Sequence, residues 1–575
     1  MMADQFVGLL LRPSRAYRSI RQLTPTTAYF AAGLIALFVL ALRWGTEGGP
    51  ATSLFALTTC LFLAALIVLL TRRVLFAVVL VAGFALAIVL GASIKLKKMN
   101  MVMHAYDLLF YLNSWSTVTY LWYDYRRYFL AILITIFAVI LAGALAYLID
   151  GSRVQRRHAA LAAAVFATIA YGAAVAKGER RHTEFAYAGQ YLTFFFTSWP
   201  ETLETLWRGQ LLEAATRAHA PPFQVPSRCE PAGQRPHIVL IHQESVVPPS
   251  YFPQLHYDRA LDSLFESGDG RLHKLRVETY GGASWLTEFS LLAGISTYSL
   301  GGMRSFVQLL MAGKVKDTLP QVLARCGYRN VVFYPMLRNF VSNDRFYASI
   351  GLPEIFDLKD QGATSVSERD AFYYRNALRE MERHVARSDQ PLFTYIQTMS
   401  THWPYHITYL PEEDVPGGGP GTHPEMHEYL RRLALAKKDY DELKAELSRR
   451  FPGEPILIVR YGDHHPVSTR VLLGFDESLE AEDVVLEKDS VGFLTFYAVE
   501  GINFVPPDLP TESAVDVPYL GAVILDAAGL SLPESYRERL RLLSLCGGRY
   551  YTCGEQGEIL RFHRRLIDSG IVEAR

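Results

Sequence analysis

An excess of charge of either sign is missing from this 575-residue sequence: 57 lysines and arginines face 57 aspartates and glutamates, for a formal net charge of +0. Without a basic surplus the chain has no field to draw in a polyanion, and no nucleic-acid partner is expected. Cysteine is scarce at five, which excludes the small disulfide-dense secreted scaffolds. Cys60 lies inside an apolar run, which leaves Cys229, Cys326, Cys546 and Cys553 in the polar part. Cys546 and Cys553 close a short Gly- and Tyr-containing loop. A disulfide there and two ordinary thiols both stay open, since spacing alone does not decide between them. Long apolar runs are also missing after residue 180, although half of all residues are hydrophobic. The surplus is therefore packed into the first third of a chain long enough for two or more folding units.

That first third reads as membrane-embedded. Ala28–Leu42, Thr52–Leu70, Val74–Ile94 and Tyr128–Leu148 reach or approach the roughly 20 apolar residues that cross a bilayer core. A fifth run, Ala159–Val175, is shorter and Ala-rich but free of charge. A cleaved signal peptide accounts for one such segment, not five. Arg12, Arg15, Arg18 and Arg21 precede the first run, Arg72 and Arg73 fill the turn after the second, and Arg153, Arg156 and Arg157 precede the fifth. With these three clusters in the cytoplasm, everything after residue 176 is outside. Lys95, Lys97 and Lys98 run against this rule, because they fall on the outer side. His104–Tyr125 and Tyr187–Leu212 are rich in Tyr, Trp and Phe, which suits either the membrane interface or packing between helices. Pro221, Pro222, Pro226, Pro231 and Pro236 then mark a linker.

From residue 237 the pattern changes to short β-branched runs separated by amphipathic stretches. The runs are His237–Ile241, Asn330–Tyr334, Leu392–Ile396 and Ile456–Val459, and Tyr429–Arg449 carries a helical pattern. This alternation predicts an α/β domain around a largely parallel sheet. Ligands gather beyond the carboxyl ends of such strands. There the sequence places His242-Gln243-Glu244-Ser245, Gln397-Thr398-Met399-Ser400-Thr401-His402 and Gly462-Asp463-His464-His465. Carboxylates and imidazoles gathered at three strand ends suit a divalent cation with mixed oxygen and nitrogen ligands. A fourth element, Gly281-Gly282-Ala283-Ser284, opens the helical stretch SWLTEFSLLAGIS. Two readings of Ser284 stay open: a helix N-cap with Glu288 near the capping-box position, or a hydroxyl placed to attack a phosphoryl group.

Taken together these residues resemble the alkaline phosphatase/sulfatase superfamily, and more narrowly its lipoteichoic acid synthase and phosphoglycerol transferase branch. The resemblance is carried by KLKKMNMVMHAYDLL with Asp107, by the strand leading to Glu244, by GGASWLTEFSLLAGIS at 281–296, by FYPMLRNFVSNDRFYASIGLPEIFD at 333–357, by STHWPY at 400–405 and by YGDHHP at 461–466. It implies a five-helix transmembrane domain followed by an α/β alkaline-phosphatase-like, sulfatase-type domain. The segments expected are a cytoplasmic N-terminus over 1–24, a transmembrane domain over 25–178, an interfacial helix and linker over 179–235, and an extracytoplasmic catalytic domain over 236–575.

The resemblance also implies a chemistry. Glu244, Asp463 and His464 would hold one divalent cation, Mn2+ or Mg2+ with Zn2+ as a further option, and Ser284 would complete the shell as nucleophile. His402 would contact substrate and either protonate the leaving alkoxide or bind the phosphate, and Arg338, Asn339 and Asn343 lie in the segment that would line a head-group pocket. His465 would be a second ligand or a phosphate contact. The implied protein is a transferase of a bacterial cytoplasmic membrane that moves a phosphoglycerol-type head group from phosphatidylglycerol to a glycan or lipid acceptor. Two departures stand out: serine replaces the branch's usual threonine, and Trp285-Leu286 lengthens the spacing to Glu-Phe by one residue, which makes Thr287 a weaker second candidate. The rivals are a phosphoethanolamine transferase or a phosphohydrolase of the same fold, and a non-catalytic membrane receptor or scaffold. A true sulfatase is disfavoured, because Pro226-Ser227-Arg228 has Gln224 where a formylglycine precursor needs Cys or Ser.

Overall fold

The computed structural model describes residues 23–43, 47–99, 102–108, 118, 121–122, 125–177, 190–208, 211–226, 229, 235–476 and 486–573. The arginines before residue 22 and most of His104–Tyr125 lie outside the described residues. The chain divides into two compact units, Met1–Leu203 and Glu204–Arg575.

The first unit is helical. Its helices are α1 (Pro25–Arg43), α2 (Pro50–Thr71), α3 (Val74–Met99), α4 (Arg126–Ile149) and α5 (Arg156–Lys177), with α6 (Tyr191–Arg208) beginning inside it. Four helices are long and apolar enough to cross a membrane, over Pro50–Thr71, Val74–Lys97, Arg126–Ile149 and Arg156–Ala176. In α1 the described apolar part, Pro25–Leu37, is shorter than a span, so four of the five expected spans meet the length on the described residues. Small residues let helices approach closely, and Ala64, Val68, Ala77, Val81 and Ala159 form one such seam. The opposite side of α4 turns Ile134, Phe137, Ile140 and Leu141 outward, a surface suited to lipid.

Backbone polar groups at one end of this bundle are tied together. Arg72 closes α2 in the left-handed conformation at φ 64°, and its Nε donates to Val154 O at 3.2 Å. Arg73 Nη1 donates to Asp150 O at 2.7 Å, and Leu23 N donates to Ile149 O at 2.8 Å. The Arg72–Arg73 turn, the Arg153–Arg157 segment and the residue just after the N-terminal basic cluster therefore share one end. Lys95, near the far end of α3, is buried against Asp107, with Nζ 2.9 and 2.8 Å from its two carboxylate oxygens.

The second unit is built on an eight-stranded sheet. Its strands are β1 (His237–Gln243), β2 (His273–Arg276), β3 (Arg329–Phe333), β4 (Glu354–Phe356), β5 (Leu392–Gln397), β6 (Ile456–Gly462), β7 (Leu494–Ile502) and β8 (Val515–Asp516). They lie in the order β4-β3-β5-β1-β6-β7-β2-β8. From β4 to β6 the strands are parallel, while β7 runs antiparallel to both β6 and β2. The four runs read from sequence are its central parallel strands. β1, β5 and β6 are buried along their whole length, as strands covered on both faces must be. Three helices matter for the site: α7 (Ser284–Ala293), α8 (Asp370–Val385) and α9 (Pro424–Arg450). Cys229 is bonded to Cys326, and Cys546 to Cys553.

Candidate active site

Parallel strands end together, and here β1 delivers Glu244 while β6 delivers Asp463 and His464 just beyond the same edge. Gly462 makes the approach feasible. A Cβ on it would stand 2.0 Å from Val246 O, so only glycine lets the end of β6 touch the turn after Glu244. Across that contact Ser245 N donates to Asp463 Oδ1 at 2.8 Å, and His464 N donates to the same oxygen at 2.8 Å.

Ser284 reaches this edge through a strained turn. Gly281, Gly282 and Ala283 have φ of 73°, 152° and 61°, and an alanine in that region carries strain of about 1 kcal/mol. Gly281 N is fixed to His465 O at 3.0 Å, and Thr279 Oγ1 to Gly282 O at 2.6 Å. The cap position of α7 is therefore Ala283, which has no side-chain cap, and Ser284 is the first helical residue. This removes the N-cap reading of Ser284. Ser284 Oγ caps nothing. It donates to Glu244 Oε2 at 2.9 Å and lies 3.3 Å from His464 Nε2. Glu288 does not fold back to a capping box either, because its carboxylate is buried and accepts from Tyr347, Gln397 and Gln308. Thr287 turns away, donating to Asp463 O at 2.7 Å.

The electrostatics fit a cation-binding edge. Burial pushes Glu244 upward in pKa, but the charge and hydrogen bond of His464, followed by His402 and His242, hold it well below the carboxylate range. Burial pushes His464 down, yet Asp463 and Glu244 prevail and hold it at about 9. His464 Nδ1 donates to His465 O at 2.9 Å, which leaves Nε2 facing the carboxylates. Asp463 Oδ2 is buried and has no hydrogen-bond partner of adequate geometry, although His242 Nε2 and His464 Nε2 lie 3.0 and 3.3 Å away. An acceptor left short of donors beside a second carboxylate fits a divalent cation. The mixed oxygen and nitrogen donor set does not single out one ion. His242, Glu244 and Asp463 each offer a ligand atom within 4.8 Å of one another.

The remaining expected residues fall into three groups. His402 is half-buried beside this edge, with Nδ1 donating to Trp403 O at 2.6 Å and Nε2 left over. His465 is fully buried with both ring nitrogens engaged, Nε2 with Leu494 O at 2.8 Å and Nδ1 with Thr469 Oγ1 at 3.3 Å. Burial also lowers its pKa to about 4, so its ring is committed to the protein. In the 333–357 segment, Arg338 is exposed and paired with Asp357 and Asp360, away from the Ser284 cluster. Asn339 is half-buried in a turn. Asn343 is buried near Tyr334. Val341 and Ser342, with φ of 44° and 66°, strain the loop just before it. Sequence reading placed His242 among the strand-end residues suited to a cation but gave it no individual role, although it stands two residues before Glu244 on β1.

Residues 276–483 match the Sulfatase family profile. An uncharacterized protein of Haemophilus influenzae is 23% identical over 328 residues, which is 55% of this chain and 55% of its own length. The chain thus spans about half the length of the curated relative it matches. Among solved structures it is similar to the integral membrane lipooligosaccharide phosphoethanolamine transferase A of Neisseria meningitidis, at 13% identity and a TM-score of 0.49 over 88% of this chain and 97% of that one. It is also similar to the phosphoglycerol transferase GacH of Streptococcus pyogenes, at 16% identity and a TM-score of 0.46 over 65% of this chain and 92% of that one. The matched span runs from β2 through Ser284 to just past Asp463 and His464, and the chain carries a sulfatase domain of the alkaline phosphatase superfamily.

Proposed function

We propose that this chain is a membrane-bound phosphotransferase that moves a phosphoglycerol-type head group from phosphatidylglycerol to a hydroxyl on a glycan or lipid acceptor. The observation that carries the reading is Ser284, a non-capping hydroxyl on the first residue of a helix, 2.9 Å from a carboxylate held ionised. In the first half-reaction Ser284 Oγ bonds to phosphorus as the phosphorus–oxygen bond to diacylglycerol breaks. The serine proton goes to a solvent water, and the departing alkoxide takes one from Nε2 of His402 in its imidazolium form, whose Nδ1–H stays on Trp403 O. In the second, the acceptor oxygen bonds to phosphorus, its proton returns to His402 Nε2, and the Ser284 oxygen leaves as an alkoxide that takes its proton back from water. A divalent cation held by Glu244, Ser284, Asp463 and His464 would lower the serine pKa and neutralise phosphoryl oxygens. The free N–H groups at the start of α7 favour the same anionic group.

Two observations support an extracytoplasmic catalytic unit in a bacterial cytoplasmic membrane. The Arg72–Arg73 and Arg153–Arg157 clusters share one end of the bundle, so the positive-inside rule sends the chain after α5 to the other side. The four cysteines beyond the helices are joined in two pairs, as suits an oxidising compartment.

The test is intact mass spectrometry of full-length protein after incubation with Mn2+ and single-lipid vesicles. An adduct with the mass of phosphoglycerol, absent in Ser284→Ala, is the expected result. A phosphoethanolamine mass would replace the donor. Diacylglycerol release that persists in Ser284→Ala would defeat the covalent reading.

A further inference from the structure

β5 ends at Gln397 and α9 begins at Pro424, and the chain between them carries His402 without any regular structure. A carbonyl in such a stretch has no ladder or helix to supply its donor. Around His402 one side chain supplies three of them. Arg432, on α9, is 4% exposed. Its Nη1 donates to His402 O, and its Nη2 donates to Pro404 O at 2.7 Å and to Ile407 O at 2.9 Å. Its Nε donates to Glu428 Oε1 at 2.8 Å, one turn back on the same helix. Four of the five N–H groups of the guanidinium are thus placed. Glu428 is buried as well, so the charge of Arg432 is answered inside the protein. Glu428 Oε1 also accepts from Tyr409 N at 2.7 Å, which ties the loop to α9 a second time. A planar fork suits carbonyls that diverge, where an ammonium is a single point of donation.

His402 lies between this clamp and the cation edge. Upstream, Thr401 Oγ1 donates to Glu244 O, and the Tyr405 hydroxyl donates back to Thr401 O at 2.7 Å. The Arg432 guanidinium stands over the Tyr405 ring, 5.2 Å from its centre. Downstream, Arg432 holds the carbonyls of His402 and Pro404, and His402 Nδ1 donates to the carbonyl between them, Trp403 O, at 2.6 Å. A ring bonded to a carbonyl turns with the backbone that carries it. The direction of His402 Nε2 is therefore set by the backbone that Arg432 grips on either side of Trp403.

We propose that Arg432 is a positioning residue for head-group transfer, which acts through His402 by directing its Nε2 to the departing oxygen. The inference rests on the acid role given to His402 in the proposed function.

Two donors separate this role from plain scaffolding, in full-length protein in detergent with Mn2+. Diacylglycerol is a poor leaving group that needs a proton, whereas 4-nitrophenolate leaves the 4-nitrophenyl ester of glycerol phosphate without one. Arg432→Met removes the donors, and is expected to lower kcat on phosphatidylglycerol by about 10–100-fold with KM little changed. On the ester its kcat is expected to fall by no more than about threefold. Arg432→Lys keeps a cation beside Glu428 but cannot span three carbonyls. It is expected to show the same pattern with a loss of about 3–10-fold on the lipid, and carries the comparison if Arg432→Met does not fold. His402→Ala should lose at least as much on the lipid, and adding Arg432→Met to it should cost less than about twofold more. Equal losses on both donors, additive losses in the double variant, or parental kcat on the lipid in Arg432→Met would overturn the proposal. Parental lipid cleavage in His402→Ala would instead remove the acid role of His402, and this inference with it, while leaving the Ser284 adduct to stand.

Discussion

Two polar layers lie at the carboxyl edge of the same sheet, and they are built on opposite plans. The outer one, Glu244, Ser284, Asp463 and His464, has more acceptors than donors, and leaves Asp463 Oδ2 without a proper partner in a buried setting. The inner one, Glu288, Tyr347, Gln397, Tyr395 and Tyr461, gives its lone carboxylate three donors and links every hydroxyl to another group. Glu288 needs no cation, because neutral donors surround it. In the outer layer two buried carboxylates stand side by side and Asp463 Oδ2 has no hydrogen-bond donor, which suits a cation. Equal burial thus hides a difference in kind: a layer short of protons is a place to bind charge, and a layer complete in protons is a frame.

That contrast fails if the two layers respond alike to substitution. Ser284→Ala is expected to lower head-group transfer on the order of 10⁴-fold or more, while melting temperature stays level or rises. Asp463→Asn removes an acceptor the fold does not use and a charge the cation does. Mn2+ affinity should drop by roughly 10²-fold or more, and metal-free protein should melt no lower than the parent. A clear fall in melting temperature in either variant would show that the outer layer is also a frame. Glu288→Ala leaves three buried donors unanswered and should cost about 3–5 kcal/mol of stability, read by chemical unfolding.

The smallest effect concerns a third buried carboxyl. Asp370, at the start of α8, accepts from Met399 N and Ser400 N in the strand-end loop that leads to His402. Burial, reinforced by Asp439, raises its pKa to about 7. Its folded pKa lies above the ordinary value, so its contribution to stability is complete below about pH 4 and is lost as pH rises through about 7. Asp370→Asn should match the parent near pH 4 and exceed it by about 1–3 kcal/mol at pH 8. A constant difference across that range would mean the carboxyl ionises normally.

What the sequence disclosed depended on how local the signal was. The membrane helices announce themselves by unbroken apolar runs, and β1, β3, β5 and β6 by β-branched residues between turns. Their strand ends then led directly to Glu244, Asp463 and His464, because a parallel sheet puts the ends of neighbouring strands together. Ser284 was singled out, but whether it caps its helix depended on the φ of Ala283, which composition does not reveal. β2 (HKLR) and the two-residue β8 carry no strand pattern, since pairing of β2 with β7 and of β8 with β2, and not propensity, creates them. Glu288 looked like an unremarkable polar residue, because its partners Gln308, Tyr347 and Gln397 come from distant parts of the chain. The Cys229–Cys326 pairing was equally hidden, as 97 residues of separation leave no trace in spacing.

That bridge bears on the order in which the protein can mature. Its loop encloses Glu244 and Ser284 but neither Asp463 nor His464. A chain synthesised from its N-terminus can therefore lock the nucleophile's half of the edge by oxidation before the other half has been made. The second half then arrives, with β6, at a template already closed. The edge that carries all four residues is complete only once β6 has joined β1.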